Sequence, residues 1–332
     1  MKFLLLKMEF IPSTALAHPN IAFIKYWGNL DESRHIPSNG SISMCLNGLV
    51  TRTTVAFDPS LEQDRLTLDG VVMQGETLSR VSAFLDHVRR LAGNNIYAQV
   101  TSENNFPSGA GIASSASAFA ALALAATATL GLDLAEPALS SLARLGSGSA
   151  CRSIPTGFVE WLPGTCHENS FAISITPPDH WHLVDCIAIV DRSHKLTGSA
   201  RGMALAHTSP LQAERVRTTP ERLDRCRKAI LDRDFDAFAE VVEVDSDLMH
   251  AVMRSSSPPL EYMQPATHRI IAEVKTWRKQ GHKIFTTVDA GPNMHVISLV
   301  DEQDFVQSSL LRLTGVNEVL TAKPGSGARL IV

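Results

Sequence analysis

Four stretches of the chain carry polar residues that folding alone does not require. The first is residues 17–28 (AHPNIAFIKYWG), where Lys25 stands in an apolar run. An unpaired ammonium there is costly, so Lys25 either reaches solvent along its stem or faces an anionic ligand. The second is residues 107–117 (PSGAGIASSAS), a Gly/Ser loop that runs into a helix. Free backbone N–H groups and the positive end of the helix dipole suit a phosphate there, and a purely structural turn is the alternative. The loop is neither the G-x-x-x-x-G-K-[ST] P-loop nor G-x-G-x-x-G. The third is residues 146–152 (GSGSACR), in which Ser147, Ser149 and the planar fork of Arg152 can hold a phosphate or a carboxylate, or simply cap a helix. In the fourth, residues 288–293 (VDAGPN), Asp289 ends a strand before a Gly-Pro turn, which taken alone is the pattern of an Asx-turn.

These stretches need elements to hold them. Thr51–Phe57, rich in Thr and Val, has the composition of a half-exposed strand. Asp69-Gly70 between Arg65–Leu68 and Val71–Met73 predicts a hairpin closed by a type I′ turn. Leu78, Val81, Phe84, Leu85, Val88 and Leu91 keep the rhythm of an amphipathic helix, and Ile96, Ala98 and Val100 alternate as a strand does. Residues 114–130 form a helix of small side chains, which lets neighbouring backbone approach and predicts a buried central position. Residues 183–190 are a continuous apolar run, the mark of a buried strand. Residues 193–217 are polar and mixed, with a helix expected from near Gly202. Ile270, Val274 and Trp277 define a later helix capped by Thr267 and Gly281, and strands are expected over 283–288 and 294–300, around the turn that carries Asp289. The order of elements indicates an α+β class with two layers in each half and a boundary near residues 185–195.

Composition removes several function classes. The 332 residues suffice for about two domains, and 44% hydrophobic with 19% charged residues excludes a disordered or fibrous chain. Thirty Lys+Arg against 34 Asp+Glu leaves −4, so no global basic field draws nucleic acid, and an anionic substrate needs a local positive site. The cysteines, Cys45, Cys151, Cys166, Cys186 and Cys226, form no CxxC pair and point to reduced thiols in a cytoplasmic compartment. The opening MKFLLLKMEF is too short and too interrupted for a signal peptide, and no window has the apolar length of a membrane span. His18, His35 and His194 lack metal-ligand spacing and are expected at the surface or in packing. Cys151 has no histidine at a catalytic spacing, and no set of metal ligands stands out. Asp31-Glu32 and residues 232–236 are expected as solvated loops.

In order and spacing, the phrases NIAFIKYWGN, NNFPSGAGIASSAS, RLGSGSACRSIPTGFVEW and VDAGPN resemble signatures of the mevalonate diphosphate decarboxylases. That family belongs with galactokinase, homoserine kinase and mevalonate kinase, and GSGSACRS…GFVEW resembles its decarboxylase branch rather than the kinases. The resemblance implies an N-terminal domain like ribosomal protein S5 domain 2 (1–188), a ferredoxin-like C-terminal domain (189–332) and an active site between them. It also implies ATP and Mg²⁺, a phosphorylated mevalonate as substrate, a homodimer and a place in isoprenoid synthesis. In that chemistry a tertiary C3 hydroxyl is phosphorylated, and phosphate and CO₂ then leave. By the resemblance Asp289 takes or orients the C3 hydroxyl proton, Arg152 pins the substrate carboxylate, and Lys25 offsets negative charge beside the transferring phosphoryl group. Asn20, Tyr26, Ser149, Ser199 and Arg201 fall to the substrate. Ser108, Gly109, Gly111, Ser114, Ser115, Ser117 and Ser147 fall to the phosphates of ATP.

Two positions depart from the family pattern. The family usually continues K-Y-W-G-K, with the second lysine on the diphosphate, and here that position is Asn29. A Ser-Arg pair ahead of Gly-Met is also common, whereas Ser199-Ala200-Arg201 precede Gly202-Met203, so the arginine is shifted by one. Fewer cations at the tail lead us to expect mevalonate 5-phosphate as substrate and isopentenyl phosphate as product. The alternative is a 5-diphosphate enzyme in which Arg201, Arg192 or Lys195 covers the second phosphate. Retention of Lys25, Arg152 and Asp289 argues against a mevalonate 3-kinase, and retention of the 108–117 loop and of Asp289 argues against a non-catalytic module.

Overall fold

The computed structural model describes residues 10–107, 114–193 and 197–331. The chain opens with β1 (Ser13–Ala17), β2 (Asn20–Ile24), β3 (Asn29–Asp31), β4 (Ile36–Pro37), β5 (Ser41–Asn47) and β6 (Thr51–Phe57). A hairpin of β7 (Arg65–Leu68) and β8 (Val71–Met73) leads to α1 (Gly75–Ala92) and β9 (Ala98–Asn104). Then come α2 (Ser114–Thr129), α3 (Glu136–Gly146), β10 (Phe158–Leu162) and β11 (Phe171–Thr176). The second half holds β12 (Leu183–Ile189) and the helices α4 (Ser199–Ala204), α5 (Gln212–Asp232), α6 (Phe235–Ser255) and α7 (Pro265–Lys279). It closes with β13 (Ile284–Thr287), β14 (Met294–Leu299), α8 (Gln303–Leu311), β15 (Glu318–Pro324) and β16 (Arg329–Ile331).

One sheet runs β16-β1-β6-β9-β7-β8, and its β7–β8 turn has φ of 47° at Asp69 and 80° at Gly70, the left-handed pair a type I′ turn needs. Helix α2 lies against this sheet, with Ala120, Ala121, Ala123, Ala125 and Ala126 buried in one core with Val55, Val100, Phe84 and Leu142. Small side chains let the helix sit close to the strands, and its buried hydroxyls are satisfied locally: Thr127 and Thr129 donate to the Ala123 and Ala125 carbonyls, each at 2.8 Å.

A second sheet runs β11-β10-β5-β15-β12-β14-β13, with β2 also paired to β5. Along β12, Val184, Cys186 and Ala188 face a core shared with Ile270, Val274, Trp277 and Leu310. Leu183, Ile187 and Ile189 face the core built by Phe23, Leu223, Ile230, Phe238 and Val242. Helices on both faces explain why the segment is an unbroken apolar run. Strand β15 returns from near the end of the chain to pair Lys323 with Asn47 and Pro324 with Leu46, so this sheet is continuous through both halves. The division expected at 188/189 falls just before the last residue of β12, a strand that pairs with β14 and β15.

The region after β12 differs from the sequence expectation. A helix was expected from near Gly202; the chain instead forms short α4 from Ser199 and then the long α5 and α6. Of residues 232–236, expected as a solvated loop, Arg233 and Asp234 link those helices, and all but Phe235 are exposed. Arg233 takes φ 55° to end α5, and the Asp234 side chain accepts from the Ala237 N–H at 3.1 Å to start α6. In α7 the cap is Gln264 rather than Thr267, and Thr267 is the third helical residue of a capping box, its hydroxyl accepting from the Gln264 N–H at 3.1 Å.

Candidate active site

Strand β2 is buried along its whole length and delivers Lys25, 1% exposed, to a cleft between the two halves. The Lys25 ammonium donates to Asp289 Oδ1 at 2.7 Å and to the Ala22 carbonyl at 2.7 Å. Its main chain is gripped as well. The N–H donates to Asp245 of α6 at 2.6 Å, while Asn39 and Arg215 donate to its carbonyl at 2.9 and 2.7 Å. Asp245 is fully buried and paired with Arg222 at 2.7 Å, so the charges are neutralised where they sit.

Asp289 follows β13 and is held through Val288, whose N–H donates to Ser246 at 3.2 Å and whose carbonyl lies 3.4 Å from His250 Nε2. Burial pushes the Asp289 carboxyl up, but Lys25, His295 and Arg152 together outweigh it and hold the group below the ordinary carboxylate range. Burial pulls the Lys25 ammonium below its ordinary value, with Asp289 opposing. Asp289 keeps 27% of its side chain exposed, and it lines the cleft. The arrangement therefore offers an anionic acceptor backed by a fixed cation.

Arg152 lies in the 3-10 turn Gly148–Ser153, where Nε donates to Asn20 Oδ1 at 3.1 Å and Nη1 to Ser41 at 2.8 Å. Asn20 is itself fixed by donating to Ser153 at 2.8 Å and to the Ser149 carbonyl at 3.2 Å. Asn20 thus stands behind Arg152 and supports it rather than lining the cleft. Tyr26 lines the cleft and packs edge-on to Trp161. A Cβ on Gly148 would fall 2.6 Å from its hydroxyl, so that glycine is what lets the ring in. The Tyr26 hydroxyl donates to Asn29 Oδ1 at 2.5 Å, and Asn29 Nδ2 donates to Glu32 at 2.8 Å.

The cleft has a volume of about 380 Å³. It brings together Lys25, Asp289, Arg152, Tyr26, Ser114, Ser115, Ser147, Ser149 and Ser199 from the expected set. Ser115 and Ser147 place their hydroxyls 3.1 Å apart across the N-terminal end of α2. Ser117 lies elsewhere: it is fully buried and shares a 2.6 Å hydrogen bond with Thr51 between α2 and β6. Arg201 is exposed and is not among the residues that line the cleft. Ser108, Gly109 and Gly111, with His194 and Lys195, lie outside the described residues.

His18 is buried and hydrogen-bonded to the Leu49 carbonyl at 2.7 Å, a packing role as expected. His35 was also expected to be structural, yet it lines the cleft beside Arg80 of α1. Burial lowers its pKa, with the neighbouring Arg80 adding to the effect. Arg80 donates to the Gly146 carbonyl at 2.7 Å and lies 4.7 Å over the Phe119 ring. Sequence reasoning missed it because only the apolar positions of α1 carry a periodic signal. A larger groove of about 670 Å³ beside the β7–β8 hairpin lacks such chemistry, since Asp64 there is spent on Arg89 at 2.9 Å.

A cleft between two α+β halves, lined by a lysine–aspartate pair and an arginine, defines the class. A family model described as the diphosphomevalonate decarboxylase-like N-terminal domain matches residues 17–172, and one for the mevalonate 5-diphosphate decarboxylase C-terminal domain matches residues 186–324. The diphosphomevalonate decarboxylase of Candida albicans is 40% identical over 91% of this chain and 88% of its own length. The human one is 37% identical over 87% and 77%. The solved mevalonate diphosphate decarboxylase of Staphylococcus aureus superimposes with a TM-score of 0.92 at 37% identity, covering 97% of this chain and 98% of that one. The chain belongs to the diphosphomevalonate decarboxylase family, and with it to the ATP-dependent decarboxylases. No described helix is long and apolar enough to cross a membrane.

Proposed function

We propose that this chain decarboxylates mevalonate 5-phosphate with ATP, giving isopentenyl phosphate, ADP, phosphate and CO₂. The observation that carries the monophosphate is the Tyr26–Asn29–Glu32 chain. Where the family's second lysine would stand there is an amide tied to a carboxylate, and no cation. Arg201 is exposed and does not line the cleft, and Arg192 pairs with Glu318. A tail with one phosphate needs fewer cations than a diphosphate.

In this reading Arg152 holds the substrate carboxylate through its planar fork. Asp289 accepts a hydrogen bond from the C3 hydroxyl. Because its carboxyl sits below the ordinary range, it takes the proton only as the phosphoryl group arrives. Lys25 stabilises the negative charge that gathers there. The C3–O bond then breaks with phosphate as leaving group, and the electrons of the C–CO₂⁻ bond close the alkene. Ser115 and Ser147 suit the nucleotide phosphates, since their hydroxyls meet at the N-terminal end of α2, and Ser114 lines the cleft beside them. Ser149 and Ser199 suit the substrate. Mg²⁺ would enter with the ATP phosphates, whose oxygens are ligands of the kind it prefers. A cytoplasmic homodimer is part of the same proposal.

The second reading is the 5-diphosphate. It is favoured by the names of the relatives and by a similar solved structure, MDDEF in complex with MVAPP, AMPPCP and magnesium. Arg80 and His35 are the groups in this cleft that would serve it. One panel tests both: ATP with mevalonate, its 5-phosphate and its 5-diphosphate, following ADP and CO₂ together. We expect the highest kcat/KM for the 5-phosphate, with CO₂ equal to ADP, and Asn29→Lys shifting the ratio toward the diphosphate. A clear preference of the parent for the diphosphate overturns the monophosphate reading, and ADP without CO₂ would leave only a kinase.

A further inference from the structure

We infer that Glu32, a residue outside the cleft, sets the selectivity for the substrate tail by fixing which way the Tyr26 hydroxyl donates. The inference rests on the proposed function and adds to it that Tyr26, which lines the cleft, touches the substrate tail. A carboxylate has only acceptors, so Glu32 obliges Asn29 to turn its amide nitrogen outward, where the two meet at 2.8 Å. The carbonyl oxygen of Asn29 then faces Tyr26 at 2.5 Å, and a carbonyl oxygen also only accepts. The single phenolic proton of Tyr26 is therefore committed to Asn29. Burial raises the pKa of that phenol, so the proton stays on the oxygen.

What Tyr26 presents to the cleft is a lone pair. Phosphoryl oxygens are acceptors as well, so a phosphate group reaching this hydroxyl meets an acceptor where it needs a donor. A shorter tail, or one that meets Tyr26 through a water, avoids the conflict. Asp31-Glu32 was expected as a solvated loop, and Glu32 is exposed. Its place in the β3–β4 hairpin, three residues beyond Asn29, makes it the end of a relay into the cleft.

The test is a double-mutant cycle with saturating ATP. Glu32→Gln keeps the size but adds a donor, so Asn29 can turn over and Tyr26 can donate to a ligand. We expect kcat/KM for mevalonate 5-diphosphate to rise about tenfold, the order of one hydrogen bond to a charged group, with the 5-phosphate changed less than about threefold. In the Tyr26→Phe background the same Glu32→Gln change should give less than about a twofold gain. An equal gain in both backgrounds overturns the relay, because removal of a nearby charge would then suffice. No gain in either background overturns it as well. The parent's own preference between the two substrates tests the proposed function separately, since the cycle reads only the change caused by Glu32.

Discussion

At Asp289, burial pulls the carboxyl up, and Lys25, His295 and Arg152 together pull it down and prevail. Asp289→Asn keeps size and hydrogen bonding but cannot take a proton or supply charge. We expect kcat to fall at least about 10²-fold, the scale of one acid–base group, with ATP binding retained. The fold should survive because Lys25 keeps the Ala22 carbonyl, and an amide oxygen at position 289 can still accept from its ammonium. Activity within a few-fold of the parent would remove Asp289 from the chemistry. Arg152→Lys keeps a charge but cannot reach Asn20, Ser41 and a carboxylate at once. A loss in kcat/KM of roughly 10²-fold, measured at subsaturating substrate, is the expected result. An unchanged value would mean that the carboxylate is held elsewhere.

Helix α6 is the element that sets the two reactive segments against each other: Asp245 grips the main chain of Lys25, while Ser246 and His250 face that of Val288. His250 is 1% exposed, and burial pushes its imidazole down to about 4 from an ordinary 6.5. Between those values the unfolded chain binds a proton that the folded one does not, so stability falls as pH drops from about 6.5 toward 4. From pH 7 to pH 5 the loss is about 2 kcal/mol. His250→Gln keeps a donor for Val288 and removes the titration. Urea unfolding at the two pH values should therefore show a fall about 2 kcal/mol smaller than in the parent. Equal falls would place the acid sensitivity in other groups.

The molecule as a whole is closed by a seam near the site. Gly157 donates to the Gly325 carbonyl at 2.9 Å and accepts from Cys45, while Gly325 donates to the Cys45 carbonyl at 2.8 Å. Gly157 has φ 76°, and a Cβ there would fall 2.2 Å from the Thr176 carbonyl oxygen. Gly157→Ala should cost about 2–3 kcal/mol, read as a lower guanidinium midpoint at an unchanged slope. Because Cys45 also lies 3.5 Å from the Arg152 carbonyl, activity should decline with stability. A midpoint equal to the parent's would show that the backbone adjusts without cost.

Lys25, Arg152 and Asp289 were legible because each puts a charge or a fork where the surrounding apolar or turn pattern has no use for one. Strand β6, the β7–β8 hairpin and α2 were legible because one buried face or one turn chemistry writes a local period. Helices α5 and α6 were not. The inward positions of α5 include Arg215 and Arg222, which are buried because Asp245 of α6 neutralises them, and a local window sees only charge. The same limit explains Ser117 and Arg201, whose direction depends on where α2 and α4 begin against the sheet and the cleft. Residue types and their order determined the family and the charged residues of the candidate site. The burial of those charges, the closure of β15 onto β5 and the direction of one phenolic proton were decided only in the tertiary structure, because each depends on partners that the fold alone brings within hydrogen-bond reach.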